Sequence, residues 1–410
     1  MLRNAISARE PTARNKAIVD RNTRLLAGPG RLALRGIAPL RWAGLEHLPH
    51  PDEPALILSN HVSLFDPWFT IAAARRAVHF LATAAAMRDP LMGVVLRSFG
   101  SIPKKKFTAD PGAIRVMKKW VDLGGTVGSY PEGERSWDGE LLPLLPGIEA
   151  LVRLLDVPVV PVRILNADRV FPRWAARRRF GPVKIVFDAP RAFDRKQART
   201  ELRPWLEQRL RIDQADERNH APVRGRELAL GLENPLFRCP VCFAWHALVP
   251  SGDAIRCREC TATWRVDTDN AMLAEAGPAR SLRIVEARAE IAARTRADEF
   301  LVDPRRHARD GIVAESEPAT IVDVSERVAK PLGRARLQLS ATTLRFLAPT
   351  GPRDELLRIE LDALVNANVE LRRVLAFRDK QDRVFEVDLP RESPLAWAEL
   401  VEHWRTRVPR

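Results

Sequence analysis

Asn60-His61-Val62-Ser63-Leu64-Phe65-Asp66 follows the apolar run Leu56-Ile57-Leu58 and leads into Pro67-Trp68-Phe69. An apolar run of strand length, a polar turn and a proline at a first helical position read as strand, turn and helix. The turn folds its five positions back, so that the His61 imidazole and the Asp66 carboxylate meet at the top of a sheet. A histidine becomes a useful general base when a carboxylate fixes its tautomer and supports the imidazolium that forms. The same residues also fit a plainer role, with Asp66 capping the helix and His61 an ordinary loop histidine.

Three further segments bear on that choice. Tyr130-Pro131-Glu132-Gly133-Glu134-Arg135-Ser136 follows an apolar, glycine-containing run at residues 124–128 and reads as a strand ending in a turn. That turn presents Glu132 and Arg135 together, and the planar fork of an arginine suits a phosphate. Gly100-Ser101-Ile102-Pro103-Lys104-Lys105-Lys106 is a turn with three successive cations, which alone would be a solvated basic loop. Val157-Pro158-Val159-Val160-Pro161-Val162 reads as a buried strand edged by prolines.

In this order and spacing the four segments resemble the glycerolipid acyltransferase superfamily, which includes the lysophosphatidate and glycerol-3-phosphate acyltransferases. The resemblance covers residues 41–213, with Trp42-Ala43-Gly44-Leu45-Glu46-His47-Leu48-Pro49 similar to the lead-in to the first strand. It implies an α/β domain, a mixed sheet with flanking helices that carries the site at one edge. It also implies His61 as general base and Asp66 as the residue that orients it. Asn60, Ser63, Gly100, Lys104, Lys106, Glu132, Gly133, Arg135 and Ser136 would form the substrate-binding set, with Arg135 on the acceptor's phosphate. Lys106 stands where many relatives carry an arginine, and Glu134 where they carry a threonine.

The chemistry implied is acyl transfer from a thioester, acyl-CoA or acyl carrier protein, to a hydroxyl of a lysophospholipid-type acceptor, with lysophosphatidate the first expectation. His61 takes the hydroxyl proton as the oxygen attacks, and the tetrahedral intermediate expels the thiol. No cofactor is expected for catalysis. Ser63 lies too close to His61 in sequence to make a triad and is expected to bond the turn.

Cys239-Pro240-Val241-Cys242 and Cys257-Arg258-Glu259-Cys260 are two Cys-x2-Cys knuckles separated by fourteen residues. Two knuckles supply the four thiolates that a structural Zn2+ takes up, so the segment reads as a zinc ribbon. A disulfide pair is the plainer reading, disfavoured by ligand-like spacing and by the lack of a secretory signal. His246 is expected to be a bystander.

The chain is expected to divide into an N-terminal extension (1–30), an acyltransferase domain (31–215), a linker (216–235), the ribbon (236–268), a helical linker (269–318) and a mainly-β domain (319–410). Residues 282–300 read as an amphipathic helix. Seven short β-like runs from residue 320 and a closing helix at 393–406 resemble a pleckstrin-homology-like or GRAM domain, a small barrel with a C-terminal helix. Residues 80–99, the most apolar stretch, hold Arg88, Asp89, Pro90 and Arg97 and read as helical core.

The 410 residues carry a formal charge of +14 with 46% hydrophobic content. No apolar run reaches about 18 residues, so no transmembrane helix is expected. The charge favours an anionic membrane surface, and a cytoplasmic, peripheral location on the inner membrane face is the expectation. Arg173-Trp174 and Arg177-Arg178-Arg179 form the best basic-aromatic patch. Two rival functions share these features: a catalytically silent lipid-binding regulator, and a zinc-ribbon nucleic-acid-binding protein. The basic residues are spread along the chain rather than gathered at the knuckles, so no nucleic-acid partner is expected.

Overall fold

The computed structural model describes residues 10–83, 86–87, 89–104, 110–214, 216, 219–296, 302, 304–325, 329–348, 354–370 and 372–407. It divides into two compact units, Met1–Arg173 with Arg178–Gly225, and Trp174–Arg177 with Arg226–Arg410.

The first unit is built on a seven-stranded sheet: β1 (Leu40–Ala43), β2 (Ala55–Ser59), β3 (Val78–Thr83), β4 (Ile102–Lys104), β5 (Thr126–Ser129), β6 (Val159–Leu165) and β7 (Val183–Phe187). Their spatial order is β1-β7-β6-β2-β5-β3-β4. Strands β2 to β6 are mutually parallel, and β7 runs antiparallel to β6 with β1 parallel to it. This is the expected mixed sheet. Every residue of β2 is buried, as its unbroken apolar run requires of a strand covered on both faces. Alternation then divides the core. Ala55 and Ile57 pack on one face with Phe69 and Ile71 of α2 (Asp66–Ala74), whereas Leu56 and Leu58 pack on the other with Met117 and Trp120.

Helix α1 (Ala13–Leu34) buries Val19, Thr23 and Ala27, and runs past residue 30 without a break. Residues 80–99 are not helical throughout. Val78 and Phe80 alternate into the core on β3, which ends at Thr83, and Pro90–Ser98 forms helix α3. Helix α4 (Pro111–Asp122) follows, with Asp110 capping it through Ala113 N.

In the second unit an antiparallel sheet joins β8 (Leu248–Ser251), β9 (Ala254–Cys257), β10 (Thr263–Val266), β11 (Ala271–Ala276) and β12 (Leu282–Arg283). Two of these strands lie beyond residue 268, and helix α5 begins only at Ile284 (Ile284–Arg296) because Leu282 and Arg283 pair with Met272 and Ala271. The remaining sheet has eight strands: β13 (Ile312–Glu315), β14 (Ala319–Asp323), β15 (Lys330–Ser340), β16 (Thr343–Leu347), β17 (Glu355–Glu360), β18 (Leu364–Glu370), β19 (Val374–Asp379) and β20 (Val384–Asp388). Helix α6 (Pro394–Arg405) closes it, capped by Ser393 and burying Trp397, Leu400 and Val401. The strand additional to the seven expected is β13, a four-residue run that pairs with β15 off the main path of the sheet.

Candidate active site

Parallel strands β2, β3, β4, β5 and β6 all end at one edge of the sheet, where an open α/β sheet binds ligands. The turn after β2 is locked to β6 by Asn60, whose amide donates to Ile164 O (3.2 Å) and accepts from Ile164 N (2.8 Å). Asp66 opens α2 and is fully buried. Its Oδ2 accepts from His61 Nδ1 (2.8 Å), Val62 N (2.7 Å) and Ser63 N (2.8 Å). These three donors meet at a helix N-terminus, a place that favours negative charge. With Nδ1–H given to Asp66, the lone pair of His61 lies on Nε2.

The imidazole stacks on Tyr130 at 3.9 Å and 14°, and Tyr130 in turn stacks on Phe80 at 5.3 Å. Burial holds the His61 pKa below its ordinary value. Its hydrogen bond and attraction to Asp66 oppose that shift, while Arg135 and Arg173 add to it. The ring is therefore neutral near pH 7, the state a general base requires.

The turn after β5 braces this arrangement from the other side. Glu132 is 4% exposed, and its two carboxylate oxygens accept from His61 N (2.6 Å) and Leu142 N (2.7 Å). Burial pushes its carboxyl up to about 8 despite those two donors. Gly133 has φ +76°, and a methyl group there would sit 2.4 Å from Leu145 Cδ1. Ser136 N donates to His61 O (2.8 Å), and Ser136 Oγ donates to Asp138 Oδ1 (3.0 Å) while accepting from Gly139 N (3.0 Å).

The site residues named from sequence are placed as follows. His61, Asp66 and the Arg135 turn are brought together. Asn60, Ser63, Glu132 and Ser136 are buried and make hydrogen bonds within the protein that brace the turns. Ser63 Oγ accepts from Phe65 N (3.2 Å), as a turn residue should. Gly100 has φ +65°, and its carbonyl accepts from the buried His79 Nδ1 (3.0 Å). Lys104 ends β4 at the same sheet edge, and burial lowers its pKa. Lys106 lies outside the described residues.

Two residues of the site were not assigned from sequence. Tyr130 supplies the aromatic plane under His61, and its position directly after an apolar strand run was the available signal. Arg173, read as part of a surface patch, has a side chain only 2% exposed. It pairs with Glu134 Oε2 (3.2 Å), donates to the Arg135 carbonyl and stacks over Trp137 at 4.2 Å. Glu134, the departure from the family pattern, is the counter-ion of that arginine. Trp174 and Arg179 are also buried, whereas Arg177 and Arg178 are exposed, so only part of the patch lies at the surface.

In the second unit the sulfurs of Cys239, Cys242, Cys257 and Cys260 all lie within 4.8 Å of one another. The sulfurs of Cys239 and Cys260 are 3.7 Å apart and those of Cys242 and Cys257 3.6 Å, and all four are free thiols. His246 is outside this group; its Nε2 accepts from Ser393 N at 3.4 Å.

Residues 40–165 match the family model described as Acyltransferase, which covers the first part of the motif-based resemblance expected over residues 41–213. A 1-acyl-sn-glycerol-3-phosphate acyltransferase of Brassica napus (BAT2, chloroplastic) is 29% identical over 152 residues, 36% of this chain and 43% of that protein. The Arabidopsis thaliana enzyme LPAT1, chloroplastic, is 28% identical over 36% of this chain and 42% of its own length. The chain therefore spans less than half the length of these relatives. Among solved structures, the 1-acyl-sn-glycerophosphate acyltransferase PlsC of Thermotoga maritima is 23% identical, covering 46% of this chain and 75% of that one, with a TM-score of 0.39.

Proposed function

We propose that this chain transfers a fatty acyl group from a thioester, acyl-CoA or acyl carrier protein, to the free hydroxyl of a lysophospholipid, lysophosphatidate first. The observation that carries the proposal is the 2.8 Å bond from His61 Nδ1 to a buried, three-times-donated Asp66, which leaves Nε2 as a basic site at the sheet edge. The acceptor hydroxyl lies against Nε2, which removes its proton as the oxygen attacks the acyl carbonyl. The intermediate collapses with loss of the thiolate, and the proton on Nε2 is returned to it. Asp66 stabilises the imidazolium in between. A positioned base contributes about 10²- to 10⁴-fold, and orientation of two bound substrates supplies much of the rest. Arg135, on the turn bonded to His61 through Ser136, is suited to hold the acceptor phosphate.

No helix among the described residues is long and apolar enough to cross a membrane. The reading is of a peripheral protein that draws both lipids from an anionic membrane surface, on its cytoplasmic face. A Zn2+ held by Cys239, Cys242, Cys257 and Cys260 belongs to the same proposal. Zinc–sulfur bonds of about 2.3 Å in a tetrahedron place sulfurs about 3.8 Å apart; two of the pairs here are 3.6 and 3.7 Å apart and all lie within 4.8 Å. Four thiolates close the coordination shell, so the ion's part is structural. Thiol release that depends on lysophosphatidate and on His61 tests the activity.

A further inference from the structure

We propose that Arg173 is a positioning residue for the acceptor site, holding the backbone of Arg135 in place and cancelling the charge of Glu134 beside it. The inference rests on the acyltransferase reading and adds to it the means by which a phosphate is preferred. Four observations converge on this residue. Its side chain is 2% exposed, whereas Arg135 is partly exposed. Its guanidinium lies over the Trp137 indole at 4.2 Å, which fixes the plane of the fork. One nitrogen donates both to the Arg135 carbonyl and to Glu134 Oε2, so neighbouring residues of one turn are clamped from a single point. That turn reaches His61 in one further step, from Ser136 N to the His61 carbonyl.

The electrostatic consequence follows from charge. An uncompensated carboxylate at position 134 would repel the phosphate that Arg135 is placed to bind. Paired with Arg173 it is neutralised, and that repulsion is removed. The groups facing the His61 ring are Asp66 from α2, Tyr130 and Arg135 from the turn after β5, and Arg173 from the segment after β6; Glu132 lies at its backbone N–H. Of the cations, Arg135 and Arg173 both disfavour the imidazolium, so loss of Arg173 raises the His61 pKa.

The test compares full-length wild type, Arg173→Gln and Arg173→Lys on lysophosphatidate and on monoacylglycerol, which lacks the phosphate, across a pH series. For Arg173→Gln, KM for lysophosphatidate should rise about tenfold or more while KM for the acyl donor stays within about twofold. Discrimination against monoacylglycerol should shrink, and the acid limb of kcat/KM should move to higher pH. Arg173→Lys keeps the charge but not the fork, so KM should rise while the acid limb stays in place. This second variant, with melting curves for both, also covers the case in which Arg173→Gln fails to fold. An equal fall in activity on both acceptors, with an unmoved acid limb, overturns the proposal and leaves Arg173 a packing residue. Wild-type enzyme inactive on every acceptor instead overturns the acyltransferase reading on which the proposal stands.

Discussion

His61 and Asp66 meet because one turn of backbone separates them, and three donors converge on a single carboxylate oxygen. His61→Ala should lower turnover by about 10²- to 10⁴-fold with the melting temperature little changed. In Asp66→Asn the amide oxygen can take the three donors, and the amide nitrogen, at the position of Asp66 Oδ1, has no acceptor among the described residues, which should lower stability by about 1–3 kcal/mol. That variant removes the charge supporting the imidazolium and should cost about 10²-fold or more in kcat/KM. The pH dependence has a definite sign. The base must be neutral and its pKa is held below the ordinary value, so the acid limb of kcat/KM should lie below about 6.5. An acid limb above pH 7 would contradict the burial argument. Glu132→Gln places an amide donor against one of two backbone N–H groups and should destabilise by about 1–3 kcal/mol, read by denaturant titration. The histidine–carboxylate pair was legible in sequence because it is local. The bracing by Glu132 was not, since it joins residues 71 positions apart. Arg173 was misread for the same reason: nothing near it in sequence announces that Glu134 and Trp137 fold over it.

At the scale of elements, the strand β5 is the one that ties packing to chemistry. A methyl group on Gly128 would sit 2.4 Å from Phe80 Cε1, and Phe80 supports Tyr130, which supports His61. Gly128→Ala should therefore destabilise by about 1–3 kcal/mol through overpacking. It should also lower kcat by more than the folded fraction alone explains, measured on protein at a temperature well below its melting point. Unchanged kcat in folded Gly128→Ala would separate the stack from catalysis. Strand β2 and its turn could be read from the chain because an unbroken apolar run marks a strand buried on both faces. The stretch at 80–99 could not, because a short apolar run suits a buried strand and a buried helix equally. Here the stretch opens on the end of strand β3, at Thr83, and closes on helix α3, from Pro90. In the second unit β11 and β12 escaped for a similar reason: Ala271–Ala276 is alanine-rich and lacks the β-branched residues that mark a strand.

At the scale of the whole chain, two compact units carry two separate signals, the histidine–carboxylate edge and the four-cysteine cluster. If the cluster holds zinc, metal analysis should return one ion per chain, and Cys257→Ser should lose it. Chelation should then speed amide exchange across β9 and β10, where Cys257 ends one strand and the second knuckle leads into the next. The +14 formal charge is a property of the whole sequence and predicts salt-sensitive retention on anionic vesicles. Motif order carried the α/β architecture, whereas the packing of β13 beside β15 depends on long-range pairing that no local window contains. The central claim is that His61 acts as the base in acyl transfer to a lysophospholipid. The measurement that tests it most directly is thiol release by wild type and His61→Ala on vesicles, with long-chain acyl-CoA or acyl carrier protein, with and without lysophosphatidate. Release that requires both the acceptor and His61 is the predicted result; full release by a folded His61→Ala protein would contradict it.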